Sequence, residues 1–423
     1  MKNIKFAVAL VATITALLIV GCGVLPGFTK PELSKVLEDG WQAYKKDKPN
    51  FNGGLAMQIL SPKGDYFIST GMGDVTNASH FRIASVTKTF TAAGIMLLNQ
   101  KGLLNIDDKI TDNAPGKNIP YVPNTPGYDI PYKNEITIRM LLMHRAGVFD
   151  ITNNDIPDNN FSHGEPYIGK NYLDYMKDQD KNHTFTFDEL VGINAKNQLS
   201  FFKPGADYHY SDTGYSMLGE IIERVSGKSY ADFIKSELLV PNGLLDTSLT
   251  WKGSDQDLPA PFVRGYVWMG GKIEEVTRSN MSPHVAEGNI TATPKDLANW
   301  GKKLLRGEAG LTKTTVEMMK AGTNKGTGIA ATYGFGIFYI PGIGYGHNGA
   351  HEGYLTYMVY NPKTDVVFVV FTNEWGPAKG PGIDKVRNGG HDKDSRPRPE
   401  KDGLLIASDT LGYAQSVRSL PLR

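Results

Sequence analysis

A serine and a lysine three residues apart form the first pair in this chain with the spacing for nucleophilic catalysis. Ser85 and Lys88 stand at the start of an apolar stretch, 86–99, whose periodicity predicts a buried helix, so both fall on one helix face. A serine hydroxyl is a weak nucleophile, and a lysine held beside it in a desolvated cleft can act as base or polarise it. The same residues also fit a helix start capped by Ser85, and this segment alone leaves both interpretations open.

Other hydrolase motifs are absent from the sequence or incomplete. No Gly-x-Ser-x-Gly and no His-Glu-x-x-His segment occurs, which leaves no nucleophile elbow and little support for a catalytic metal. Ser200 and Lys203 repeat the serine–lysine spacing, but they lead straight into Pro204 and cannot open a helix. We therefore expect no metal site and no cofactor.

Two later segments contain a tyrosine, a carboxylate and a histidine, and each segment lies next to a predicted helix or hairpin. Tyr-Ser-Asp at 210–212 precedes a helical pattern, and His-Asn-Gly-Ala at 347–350 precedes the last predicted hairpin. Together with Ser-Val-Thr-Lys at 85–88, these segments resemble the three motifs of the serine beta-lactamase and penicillin-binding family, in its class C and DD-peptidase-like branch. The similarity extends from Phe51 to Asn373, and the three motifs stand in the family's order and spacing.

This resemblance implies a set of site residues. Ser85 is implied as the nucleophile, Lys88 as the group that shares or takes its proton, and Tyr210 as the proton shuttle to the leaving group. The backbone N–H groups of Ser85 and Ala350 are implied as the oxyanion hole. The residues implied to bind substrate are Asp212, His347, Asn348, Gly349 and Ala350.

Two features depart from the family pattern. Asp212 stands where the family usually has asparagine, and a carboxylate can only accept hydrogen bonds where an amide can also donate. Between Lys325 and Lys363 there is no lysine or arginine, so only His347, His351 or a residue from elsewhere could bind a substrate carboxylate. Asp212 could pair with Lys88 and hold it charged, or favour a substrate that offers N–H groups. The absence of lysine and arginine favours an esterase or a D-amino-acid amidase over a carboxypeptidase or a beta-lactamase.

The predicted elements place hairpins at both ends of a helical middle. Strands are predicted at 55–60 and 66–70 and again at 355–360 and 366–371, while 150–188 is predicted to be a long loop or a poorly ordered insert. We expect an α/β (α+β) fold in which one antiparallel sheet is flanked by helices and an inserted region is mostly helical. The resemblance makes this the beta-lactamase/transpeptidase-like fold. The predicted boundaries are a leader at 1–21, a tether and N-terminal helix at 22–50, the catalytic domain at 51–375, and a polar linker with a C-terminal segment at 376–423.

The start of the chain predicts export. An uncharged segment at 6–20 follows two lysines and suits a signal-peptide core, and Ile-Val-Gly-Cys at 19–22 resembles a bacterial lipobox. Cys22 is then the expected lipidation site and the anchor to the cell membrane. A secretory signal with an incidental cysteine, or an uncleaved anchor, also fits. Of the 423 residues, 45 are Lys or Arg and 44 are Asp or Glu, and this near-neutral balance argues against a nucleic-acid partner.

The sequence therefore predicts an exported, lipid-anchored serine hydrolase of the cell envelope. It would act through an acyl-serine intermediate on D-Ala-type peptides or amides, as a D-alanyl-D-alanine carboxypeptidase-like enzyme. An esterase or beta-lactamase of the same family is the alternative. A surface protein that binds cell-wall peptide or penicillin without turnover is the alternative of another class.

Overall fold

A computed structural model describes residues 30–45, 53–269, 272–322 and 332–374. The predicted leader, the predicted lipidation site Cys22, and the predicted linker and C-terminal segment at 376–423 lie outside these residues. No helix within the described ranges is long and apolar enough to cross a membrane.

The described residues form strands and helices in a mixed order. The strands are β1 (Leu55–Ser61), β2 (Gly64–Thr70), β3 (Phe81–Arg82), β4 (Ser248–Leu249), β5 (Tyr266–Met269), β6 (Lys272–Glu275), β7 (Ile290–Ala292), β8 (Thr332–Tyr333), β9 (Phe338–Ile340), β10 (Gly344–His351), β11 (Tyr354–Asn361) and β12 (Val366–Thr372). The helices are α1 (Lys30–Lys45), α2 (Thr87–Gln100), α3 (Ile138–Leu142), α4 (Tyr172–Gln179), α5 (Phe187–Lys196), α6 (Asp212–Ser226), α7 (Tyr230–Ile234), α8 (Val240–Asn242), α9 (Pro294–Arg306) and α10 (Lys313–Lys320).

The main sheet joins the two ends of the described chain. Its strand order is β2-β1-β12-β11-β10-β9-β8, and each neighbouring pair is antiparallel. β12 is buried along its whole length because both sheet faces are covered, and its side chains alternate between them. Val370 packs with Trp41 of α1 on one face, while Val369 lies in the cluster that contains Trp300 of α9 on the other. The predicted antiparallel sheet, flanked by helices and built from both ends of the chain, is confirmed.

In the helical region between β2 and β8, side-chain caps stabilise the starts of helices. Thr137 Oγ1 accepts from the backbone N–H of Met140 at 3.2 Å, and Ser211 Oγ accepts from that of Gly214 at 3.1 Å. Helix α2 is buried from Thr87 to Leu98, which agrees with the predicted buried helix. The candidate site described below lies at the start of this helix.

The prediction of a long loop over 150–188 is confirmed for residues 150–171, but it is wrong for 172–188, and the segment as a whole is packed and not a poorly ordered insert. This segment contains α4 and the start of α5, and it has its own apolar cluster, which includes Ile156, Tyr167 and Leu173. Its many Asn and Asp residues serve as caps and turns. Asn171 Oδ1, for example, accepts from the backbone N–H groups of Leu173 and Asp174 at the start of α4.

Candidate active site

Ser85 lies in a tight turn that leads directly into α2. The turn, Ala84–Val86, is a 3₁₀ turn, and Ala84 has φ of 47°, a left-handed conformation that costs a non-glycine residue about 1–3 kcal/mol. No side chain caps either helix start here, so Ser85 is not a helix cap. Its Oγ instead accepts a hydrogen bond from Lys88 Nζ at 3.2 Å. The structure thus favours the catalytic interpretation of the serine–lysine pair over the capping one.

Lys88 is completely buried and surrounded by oxygen atoms. Besides Ser85 Oγ, its Nζ lies 2.5 Å from Asp212 Oδ1, 3.2 Å from Glu287 Oε2 and 2.9 Å from the Glu287 backbone carbonyl. Burial by itself lowers the pKa of Lys88, but the charges of Asp212, Tyr210 and Glu287 outweigh it and raise that pKa well above its ordinary value. Lys88 is therefore an ammonium ion in the resting site.

Tyr210 lies beside Lys88 and is held by aromatic packing. Its ring centroid is 4.9 Å from Lys88 Nζ and 4.1 Å from the ring of His144. Its hydroxyl is buried and makes no well-formed hydrogen bond with the described residues. Burial raises the pKa of Tyr210, while the nearby Lys88 and Ser85 act in the opposite direction. A neutral phenol in this position is able to donate a proton.

His144 supports the Tyr210 loop from behind. The backbone N–H of Ser211 donates to His144 Nδ1 at 3.1 Å, which fixes the imidazole as a neutral acceptor at that nitrogen. Burial, with the charge of Lys88, lowers the pKa of His144 well below its ordinary value. This role is structural, because the ring supports the backbone of the Tyr210 loop.

Asp212 is the first residue of α6, and its carboxylate takes part in a second hydrogen-bond network. Its Oδ2 accepts from Asn153 Nδ2 at 2.7 Å, and Asn153 also donates to Asp150 Oδ2 at 2.8 Å. Burial and then the neighbouring Asp212 raise the pKa of Asp150 to about 8. Burial and then Glu287 raise the pKa of Asp212 as well, against the effect of Lys88. Asp212 and Glu287 thus share the buried ammonium of Lys88, and Asn153 links Asp150 to Asp212 as a third buried carboxyl group.

The third motif lies on β10, whose edge faces the Ser85 turn. β9 pairs with β10 only as far as Gly346, so the following residues approach the turn instead. A Cβ built on Gly349 would lie 2.2 Å from the Ile83 carbonyl oxygen and 2.9 Å from Ser85 N, so only glycine permits this approach. Ala350 packs on the sheet face that carries α1, and the Asn348 side chain is half-buried.

His347 does not supply the positive charge that would bind a substrate carboxylate. Its Nδ1 lies 2.5 Å from the Asn348 carbonyl, and its Nε2 lies 2.9 Å from the Tyr333 hydroxyl. Burial, with the charge of Lys88, lowers the pKa of His347 to about 3, so the ring is neutral. Burial likewise lowers the pKa of His351 well below its usual range.

Several site residues had no signal in the sequence. Glu287, His284, Asp150 and Asn153 carry no recognisable motif, and their segments come together only in the fold. Lys177 of α4 also acts on this side of the site, because its charge lowers the pKa of both His284 and His351. Within the described ranges, no group of three or more His, Cys, Asp or Glu residues is arranged to hold a metal ion.

The chain matches a family model and several known proteins. The beta-lactamase family model matches residues 50–389. Penicillin-binding protein 4* of Bacillus subtilis (strain 168) is 28% identical over 335 residues, which are 74% of this chain and 66% of that protein, so the chain spans just under two thirds of this relative's length.

Solved structures agree on the fold. A D-stereospecific amidohydrolase from Streptomyces sp. superimposes with a TM-score of 0.64 at 22% identity, covering 77% of this chain and 90% of the other. D-amino acid amidase from Ochrobactrum anthropi SV3, complexed with L-phenylalanine amide, gives a TM-score of 0.62 at 22% identity, covering 91% and 98%. The chain belongs to the beta-lactamase family of serine hydrolases.

Proposed function

We propose that this protein is an acyl-serine hydrolase of D-amino-acid amides and D-Ala-type peptides, with Ser85 as nucleophile. The observation that carries the proposal is the contact of 3.2 Å between Ser85 Oγ and Lys88 Nζ in a buried site that also holds Tyr210. Ser85 Oγ attacks the substrate carbonyl carbon, and the backbone N–H groups of Ser85 and Ala350 stabilise the oxyanion. Tyr210 donates a proton to the leaving amine, and water then releases the acid from the acyl-enzyme.

The charges of the site support an amide substrate that carries a free amino group. Asp212 can accept from a substrate N–H or ammonium but cannot donate to a carbonyl. His347 and His351 on β10 are neutral, so neither provides a positive charge that could bind a substrate carboxylate. The D-amino-acid-processing enzymes that share the fold support the same substrate class.

A D-alanyl-D-alanine carboxypeptidase-like activity is the second candidate, and Lys177 favours it. This side chain has no ion pair or hydrogen bond among the described residues, and its charge acts on Glu287, His284 and His351. An ammonium at this position could bind the carboxylate of a leaving D-alanine. Lys177→Met would then raise KM for acyl-D-Ala-D-Ala and leave KM for D-alaninamide unchanged.

The substrate proposal is tested with a panel of small substrates and one variant. We expect hydrolysis of D-alaninamide and D-phenylalaninamide, with weaker activity on the L-enantiomers, on p-nitrophenyl acetate and on a chromogenic cephalosporin. Asp212→Asn restores the family's usual amide; it should lower kcat/KM for D-alaninamide and raise the rate of acylation by penicillin. Preference for p-nitrophenyl acetate would instead support the esterase alternative. A protein that binds penicillin without acylation at Ser85 would support the non-catalytic one.

We also propose that the protein is exported and anchored by a lipid on Cys22. The support is the lysine-flanked apolar segment at 6–20 followed by the lipobox-like residues 19–22. Expression in a bacterial host with radiolabelled palmitate should label wild type and not Cys22→Ala. Equal labelling of both would refute the anchor.

A further inference from the structure

The ammonium of Lys88 faces more acceptors than it has protons. Four oxygen atoms surround Nζ: Ser85 Oγ, Asp212 Oδ1, Glu287 Oε2 and the Glu287 carbonyl, at distances from 2.5 to 3.2 Å. An ammonium group has three N–H donors and no lone pair. Lys88 in this state can donate to Ser85 but cannot accept the Ser85 proton.

The proton of the nucleophile must therefore travel further than Lys88. We propose that Glu287 positions Lys88 and takes a proton from it while Lys88 takes the proton of Ser85. This inference rests on the proposed acyl-serine mechanism and adds to it the group that finally holds the proton. Because Glu287 acts through Lys88, it is a positioning residue and not a group that contacts the substrate.

The step balances with the groups present. One N–H bond of Lys88 breaks as the proton passes to Glu287 Oε2, and a new N–H bond forms with the proton from Ser85 Oγ. Lys88 ends as an ammonium, Glu287 as a neutral acid, and the Ser85 oxygen bonds to the substrate carbon. The negative charge passes from Glu287 to the oxyanion, which the backbone N–H groups stabilise, and the net charge of the site is unchanged.

His284 orients Glu287 for this transfer. The distance from His284 Nδ1 to Glu287 Oε1 is 2.5 Å, so a neutral imidazole donates to one carboxylate oxygen and leaves the other for Lys88. Burial lowers the pKa of His284 to about 3, which keeps the ring neutral. Two carboxylates contact Lys88, and Glu287 is the one that does so through both its side chain and its backbone carbonyl.

Other charged groups also act on Glu287 and bear on its titration. Burial raises the pKa of Glu287, while Lys88, Asp212 and Lys177 oppose this rise. The further titratable groups that face it are His284, Asp150 and Tyr230. Proton transfer requires the ionised carboxylate, so the nucleophile is activated as pH rises through the pKa of Glu287.

The test measures attack by Ser85 without relying on a particular substrate. The full-length protein in detergent is treated with a fluorophosphonate, whose phosphorus bonds to Ser85 Oγ as fluoride leaves, and the second-order rate constant is followed against pH. We expect Glu287→Gln to react about 10²-fold more slowly at pH 7, with its rising limb moved to higher pH, because Lys88 itself must then lose a proton. Glu287→Asp should recover part of the rate. Glu274→Gln, an exposed carboxylate of β6, is the matched control and should leave the profile unchanged.

A second measurement on wild type alone guards against misfolding of the variant. Two protons move in the proposed step, so the rate of Ser85 phosphonylation in mixtures of H₂O and D₂O should fall along a curve as the deuterium fraction rises. A straight line, or a Glu287→Gln profile of wild-type shape, would overturn the role of Glu287. Labelling of Ser85 without hydrolysis of D-amides would refute only the proposed substrate. Absence of any Ser85 adduct would refute both.

Discussion

The contact between β10 and the Ser85 turn predicts a large effect from a single methyl group. Gly349→Ala adds a Cβ that would lie 2.2 Å from the Ile83 carbonyl oxygen and 2.9 Å from Ser85 N. Both neighbours are backbone atoms, so no side-chain rotation relieves the clash. An ordinary contact between non-bonded heavy atoms is about 3.5 Å, and β10 must therefore move away from the turn by about 1.3 Å.

A shift of this size separates the two N–H groups of the proposed oxyanion hole. Loss of one such donor costs about 10²–10³-fold in kcat, or about 3–4 kcal/mol, and misplacement by 1 Å costs about 10²-fold. We expect Gly349→Ala to lose about 10²–10³-fold in kcat/KM. The overpacking should also lower the free energy of unfolding by about 1–3 kcal/mol.

The assay compares kcat/KM for D-alaninamide with the melting temperature of each variant. Gly192→Ala in α5 is the control, because its Cβ would approach no described atom closer than 3.9 Å and should change neither quantity adversely. Activity is measured at a temperature at which circular dichroism shows Gly349→Ala folded. A folded Gly349→Ala protein with kcat/KM within threefold of wild type would refute the close approach of β10 to Ser85 as the origin of the oxyanion hole.

Two further predictions concern buried groups of the site. Tyr210→Phe should lower kcat by about 10²–10⁴-fold and change the free energy of unfolding by less than about 1 kcal/mol, because the lost hydroxyl makes no well-formed hydrogen bond; a matching loss of stability in urea denaturation would contradict this. Asp150 has its pKa raised to about 8 in the folded protein against ~3.9 in an unfolded chain, so the folded state retains a proton that the unfolded state has lost. Its contribution to stability is complete below pH ~4 and is lost as pH rises to about 8, by up to ~1.4 kcal/mol per unit. Urea denaturation at pH 5.5 and 7.5 should show a smaller loss of stability in Asp150→Asn than in wild type, and equal losses would show that Asp150 is not the group responsible.

The features of the fold and site that the sequence predicted correctly arise from local sequence patterns. The paired strands β1–β2 and β11–β12 follow from apolar runs separated by turn residues, and the buried helix α2 follows from its periodicity. The serine–lysine spacing likewise correctly placed Ser85 and Lys88 together, because one helical turn brings such residues into contact.

Contacts between distant segments could not be predicted in this way. Glu287 meets Lys88 across 199 residues of sequence, and Asn153 meets Asp212 across 59. The helix and the packing within 150–188 were missed because the same Asn and Asp residues that mark loops also cap helices and carry buried networks. The neutral state of His347 depends on burial, which no local pattern reveals.

The central claim is that Ser85 is the nucleophile of an acyl-enzyme, and intact-mass analysis with peptide mapping tests it most directly. Wild type and Ser85→Ala are treated with a fluorophosphonate and with a fluorescent penicillin, then digested with trypsin, which releases Ser85 on the peptide 83–88. We predict one adduct per wild-type molecule, located on this peptide, and none on Ser85→Ala. An adduct that persists in Ser85→Ala, or wild type that no reagent modifies, would contradict the account.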